Sequence, residues 1–201
     1  MHRLHRSSGL LALVVASCLA GPSGMADPLH KFGNEGAWVH VDSGWKFPQG
    51  VGDFARVAQP YNIDGNNDAG AEYRHGAATI ELEIYAADSA ATDATLDGAK
   101  ATAMRKAGQG ARVLSEEPFE AGVLENAHTD GGKVIKGAKI IYATDAKTHE
   151  ARSRLYYFTT DQWRVLVRAA TQDDSKAGDS MLDEFVRALP WDTLGSDSGL
   201  H

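Results

Sequence analysis

Residues 151–160 and 162–171 form two strand-type runs separated by one turn at Asp161, and both of their faces are apolar. Paired as a hairpin, Trp163, Val165 and Val167 share a face with Phe158 and Tyr156, while Leu166 joins Tyr157 and Leu155 on the other. Side chains alternate across a strand, so a sheet that is apolar on both faces has to be covered on both. This feature constrains the fold more than any other: it demands an antiparallel sheet with a layer on either side. Two helical patterns can supply the layers. In the first, Asp93 or Thr95 is the cap, Leu96, Ala99, Ala103, Met104 and Ala107 form an inward stripe, and Gly108 stands at the C-terminal position. In the second, Asp174 or Ser175 is the cap, Ala177, Met181, Leu182, Phe185, Val186 and Leu189 fall at helical spacing, and Pro190 ends the helix. The expected class is α+β, an antiparallel β-sheet flanked by helices.

The remaining strands are shorter. Residues 38–41 alternate briefly. Trp45 and Phe47 lie between Gly44, Pro48, Gly50 and Gly52, and are expected to tuck against the core. Residues 54–59 and 71–75 read as strands around a turn-rich loop at 61–68. Ile80, Leu82 and Ile84 alternate with Glu81, Glu83 and Tyr85, which predicts a strand with one buried and one wetter side. Residues 113–118 and 119–124 read as two weak strands, and 134–144 as a stronger one. The organisation expected is a signal peptide at 1–26, an irregular segment at 27–36, a single domain over 37–191, and a flexible tail at 192–201.

The signal is read from layout. Arg3 and Arg6 precede an apolar run at 9–20, and Gly24-Met25-Ala26 offers small residues before Asp27, as a secretory signal does. The run is too short to span a bilayer as a helix, and no second one follows it. The mature portion is left with 18 basic and 27 acidic side chains, a net charge of −9. Such acidity opposes binding to phosphate backbones and to anionic lipid. The one cysteine, Cys18, lies inside the signal. Cleavage after Ala26 leaves a mature chain without thiols, periplasmic or secreted. In the alternative, Val15-Ala16-Ser17-Cys18 serves as a lipobox, and acylated Cys18 anchors the domain in the cell envelope.

Candidate chemistry is sparse. Asn62, Asp64, Asn66 and Asp68 alternate as calcium-loop oxygens do, but Asn67 stands at the glycine position and Tyr73 at the bidentate glutamate position, so a solvated loop is expected. Gly178-Asp179-Ser180 matches a lipase block, yet it falls in the last helix with no Asp-x-x-His after it, and no Gly-x-Ser-x-Gly elbow exists. His30, His40, His75, His128 and His149 show no local metal-binding spacing, and no metal or cofactor is expected. Arg152, Arg154, Arg164 and Arg168 concentrate on the late hairpin, with Arg74 a possible neighbour. Arginine forks suit carboxylates and phosphates. Arg152, Arg154 and Trp163 share one face and are the candidate ligand-binding residues; Arg164 and Arg168 point to the other. Pairing with Glu81, Glu83, Glu150 or helix acids is the competing role for the arginines. Trp38, Trp45 and Phe47 are a candidate aromatic edge, with locking of a loop the competing role.

The order of early strand hairpins, a middle helix, more strands, and a long hairpin feeding an amphipathic helix resembles the PsbP-like α/β/α sandwich. The segments Trp163-Arg164-Val165-Leu166-Val167-Arg168-Ala169 and Met181-Leu182-Asp183-Glu184-Phe185-Val186-Arg187-Ala188-Leu189 carry the likeness. The chain also resembles small exported bacterial proteins with Gly-Trp-x-Phe-Pro and Tyr-(x)3-Gly segments, here at 44–48 and 61–65. Neither resemblance brings a catalytic residue. The function expected is that of a non-enzymatic binding or accessory domain of the cell envelope, with a partner protein or a small anionic ligand. The alternative is a hydrolase whose site assembles from dispersed residues such as His75, Glu81 and Glu83.

Overall fold

The computed structural model describes residues 29–32, 36–63, 67–122, 134–143, 152–173 and 175–195. Twelve strands and two helices follow in the order β1 (Leu29–Phe32), β2 (Ala37–His40), β3 (Lys46–Phe47), β4 (Gly50–Val51), β5 (Phe54–Arg56), β6 (Tyr61–Ile63), β7 (Asp68–His75), β8 (Ala78–Ala86), α1 (Leu96–Ala107), β9 (Arg112–Ala121), β10 (Ile135–Ala143), β11 (Arg152–Thr159), β12 (Trp163–Thr171) and α2 (Lys176–Arg187). The main sheet is antiparallel, ordered β4-β5-β7-β8-β12-β11-β10-β9, with β6 also on β7; β1, β2 and β3 form a second, small sheet.

The late hairpin sits near the middle of the main sheet, in the register its two apolar faces require: Phe158 lies opposite Val165, Tyr156 opposite Val167, and Tyr157 opposite Leu166. Each face has its own core. On one face Tyr156, Phe158, Val165 and Val167 pack with Leu182, Phe185 and Val186 of α2 and with Trp45 and Phe47. On the other, Leu155, Tyr157 and Leu166 pack with Ala99 and Ala103 of α1. The helices therefore cover opposite faces. Fully burying side chains such as Leu182 and Phe185 contributes about 1.5–3 kcal/mol each. Phe185 meets Phe54 and Tyr73 edge-on, at centroid distances of 5.0 and 5.3 Å.

The caps follow the sequence. Thr95 Oγ1 accepts the Gly98 N–H and Ser175 Oγ accepts the Gly178 N–H, while Gly108 ends α1 at φ 101°, a conformation that favours glycine.

Several expectations are corrected. The segment expected to be irregular contains β1, which pairs with β2 from Leu29 opposite His40 to Phe32 opposite Ala37. Residues 113–121 are one strand rather than two. Pro118 interrupts nothing because β9 is the edge of the sheet, where one side of the backbone has no ladder to donate to. Segment 54–63 lies along β7 as two short strands, broken around Pro60, and part of the expected loop is thus β6. Glu83 and Tyr85 are buried rather than wet, since they lie on the face α1 covers. Met104 is 38% exposed and leaves the inward stripe of α1. Residues 191–195, partly assigned to the tail, form a 3-10 turn and dock: Trp191 is buried, and the Gly195 N–H donates to the Ser43 carbonyl at 2.8 Å.

Gly137 marks the tightest approach within the sheet. A Cβ there would drive into the Tyr157 carbonyl and the Phe158 ring. Gly137→Ala is expected to lower stability by about 1–3 kcal/mol, the usual cost of overpacking, measured as a reduced urea midpoint at unchanged slope.

Candidate ligand site

Register brings the charged residues of the α1 face together. Glu81 lies opposite Arg168 and Glu83 opposite Leu166 on the β8–β12 pair. α1 covers the β10–β11 side of this face, so Arg168 is enclosed between sheet and helix at 7% exposure. Its guanidinium is held by Glu83 and by Asp93, from the turn before α1, with Glu81 at 3.8 Å. Tyr85 donates to Glu83 at 2.9 Å and Thr102 donates to Asp93 at 2.6 Å. Burial alone would lower the pKa of Arg168, but the charge and hydrogen bond of Glu83, together with Asp93, hold it above its ordinary value. Burial, reinforced by Glu83, pushes the Tyr85 phenol up. Arg168 is thus held cationic and the Tyr85 phenol neutral.

Beside the cluster, between the C-terminal half of α1 and the sheet, a cleft of about 200 Å³ opens to solvent. Thr79, Glu81, Ser153 and Arg168 border it from the sheet, and Ala103 and Lys106 from the helix. Lys106 reaches across to Glu81. The cleft therefore offers both signs of charge and two hydroxyls on rigid elements. Among the described residues no group of three or more His, Cys, Asp or Glu is placed to hold a metal ion.

The residues singled out by sequence are dispersed. Arg154 borders the cleft, but its guanidinium serves the other face, where Asp179 of α2 holds it and the Arg152 carbonyl accepts from it at 3.1 Å. Trp163 shares that face but stands six residues along β12 from the partner of Arg154, about 20 Å at strand rise. It is 8% exposed and packs edge-on to His40 at 5.5 Å. Arg152 is half-buried opposite Thr171. Arg152, Arg154 and Trp163 consequently do not line one pocket. Arg164 donates to the Thr160 and Trp163 carbonyls, and Arg74 is exposed opposite Thr79. Trp45 and Phe47 are fully buried, plugging the core between the two sheets.

His75 is not brought to Glu81 and Glu83. It lies opposite Ala78, on the face away from both glutamates, beside Phe54 and the Asp53 carbonyl. His128, His149 and Glu150 lie outside the described residues, as do Asp64 and Asn66 of the calcium-like loop. Asp68 of that loop accepts from the Ala86 N–H at 3.0 Å and the Ser89 hydroxyl at 2.6 Å, a turn-holding role. Cys18 and the whole signal segment also lie outside.

The lipase-like tripeptide has a structural explanation. A Cβ on Gly178 would lie 2.6 Å from the Asp173 carbonyl, Asp179 pins α2 to Arg154, and Ser180 is exposed. One turn on, Asp183 accepts from Tyr156 at 2.6 Å and from Lys139 at 2.8 Å. Helix α2 is held by ion pairs on one flank and by aromatics on the other.

Sequence reading missed Asp93, seen only as a cap, and Lys106. Both act through tertiary contact, Asp93 at 75 positions from Arg168. The one available signal was strand parity, which puts Arg168, Glu81 and Glu83 on a common face once β8 pairs with β12.

Asp179→Ala leaves the fully buried Arg154 guanidinium without its counter-charge. The expected loss is about 3 kcal/mol, as for a broken buried pair, and Arg154→Met combined with it should recover part of that loss in a double-mutant cycle read by urea denaturation.

No protein-family model matches the chain, and no similar sequence is found among curated proteins.

Proposed function

We propose that this is an exported cell-envelope protein whose α+β domain is a binding or accessory module rather than an enzyme. Its ligand is a small polar molecule carrying charge, received in the cleft beside α1. The observation that carries this reading is the cleft itself: about 200 Å³, bordered by Glu81, Lys106, Arg168, Thr79 and Ser153. Its charged groups are locked into pairs. Paired charges on rigid elements recognise a ligand well.

The site differs from the one suggested by Arg152, Arg154 and Trp163, and the ligand it favours differs too. The border presents both signs, Glu81 against Lys106 and Arg168, and Glu83 and Asp93 already occupy Arg168, so a zwitterionic or cationic ligand suits it better than a purely anionic one. The helices on opposite faces of an antiparallel sheet support the likeness to the PsbP-like sandwich. Export rests on the basic, apolar and small-residue layout of the first 26 residues, with acylation at Cys18 the competing route.

Two measurements test the proposal. Intact mass of the protein recovered from the envelope fraction is expected to place the first residue at Asp27; a diacylated N-terminus at Cys18 would replace soluble export by anchoring. In thermal-shift titrations with amino acids, polyamines and small carboxylates, a cationic or zwitterionic ligand at a hundredfold excess over Kd should stabilise the domain by about 2.7 kcal/mol. The Glu81→Gln/Lys106→Met double variant should lose that shift. An equal shift in the variant, or none with any ligand, would remove the cleft from consideration.

A further inference from the structure

The turn between β2 and β3 is where three separate parts of the chain meet, and its central group is an imidazole. His40 is fully buried, as are Ser43 and Trp45. The backbone closes the turn twice: the His40 N–H donates to the Trp45 carbonyl, and the Gly44 N–H donates to the His40 carbonyl, each at 2.9 Å. The Ser43 hydroxyl accepts from the Trp45 N–H at 3.2 Å and is hydrogen-bonded to His40 Nδ1 at 2.7 Å. The other ring nitrogen, Nε2, is buried with no hydrogen-bond partner among the described residues. The edge of the imidazole abuts Trp163, at the start of β12, with the ring planes at 90°. The Ser43 carbonyl in turn accepts the Gly195 N–H. The small sheet, the main sheet and the C-terminal segment are all tied through residues 40–45.

This seat suits the ring only while it is neutral. Besides Ser43 and Trp163, the groups facing it are Asp42 on the turn, Asp68 on β7 and the Asn67 main chain. Asp42, the Asn67 main chain and Asp68 favour the imidazolium, but Asp42 is exposed and Asp68 is already engaged by Ala86 and Ser89. Loss of hydration on burial outweighs them and holds the pKa of His40 below its ordinary value. Protonation makes both ring nitrogens donors, and Nε2 has no acceptor among the described residues.

We propose that His40 is a proton-operated latch: on protonation the 40–45 turn leaves its seat, and β1–β3 with residues 191–195 release from the main sheet, baring Trp45, Trp163 and Trp191. The direction follows from linkage. A histidine whose folded pKa lies below its unfolded value contributes stability that is complete above about pH 6.5 and is lost as pH falls from there through the folded value. Carboxylates titrate lower, near pH 4, so the two effects separate. The latch is independent of the cleft.

Hydrogen exchange on the mature chain, corrected for intrinsic rate, tests this between pH 7.5 and 5.0. Amides of residues 37–47 and 191–195 should lose protection about tenfold or more, with β8 and β12 keeping theirs and tryptophan emission shifting to the red. His40→Asn, which can still bond Ser43 but does not titrate here, should abolish that response. Uniform loss of protection, no loss, an undiminished response in His40→Asn, or a His40 NMR titration midpoint at or above 6.5 would each overturn the latch.

Discussion

The β11–β12 hairpin has no wet face, and from this much of the architecture follows. Val165 and Val167 look one way and Leu166 the other, all fully buried, so each face needs its own cover. The two covers are chemically different. α1 approaches with Ala99 and Ala103, whose small side chains let the helix lie close over Leu155, Tyr157 and Leu166. α2 approaches with Leu182, Phe185 and Val186 and meets a thicker aromatic layer that the small sheet extends with Trp45 and Phe47.

Both covers are also held by buried cations of the sheet reaching acids at the periphery. Arg168 takes Glu83 and Asp93 on one face, while Arg154 takes Asp179 and Lys139 takes Asp183 on the other. The three cations are matched by four acids, so the interior is close to charge-balanced. Buried pairs of this kind need not add net stability over apolar residues of equal size. What they provide is register, since a helix slid by one turn would strand an arginine without its partner.

The elements that were legible in the sequence are those whose signal is local. The caps at Thr95 and Ser175, the stop at Gly108, the parity of Trp163 against Leu166 and the burial of Trp45 and Phe47 all follow from neighbours a few positions apart. What escaped depended on distant partners. β1 exists because residues 29–32 find β2, Pro118 is harmless because β9 has no further strand beside it among the described residues, and Glu83 and Tyr85 are dry because α1 lies over them. The site was half visible: Glu81, Glu83 and Arg168 were in view, but not Asp93 or Lys106, and Arg154 belonged to helix docking. His75 shows the limit best. It is near Glu81 in sequence and on the other side of the sheet in space.

The bond from Gly195 to Ser43 joins residues 152 positions apart, and β12 finds its β8 partner across about 80. A chain with these closures cannot complete itself in stages from its N-terminus. While residues 163–195 are still absent, β8 lacks a neighbour, Trp45 lacks Trp191, and the early hairpins have no second layer. Such non-local closure slows folding. It also keeps the growing polypeptide loose until residues 163–195 are present, the state in which a polypeptide can still be threaded through a narrow pore.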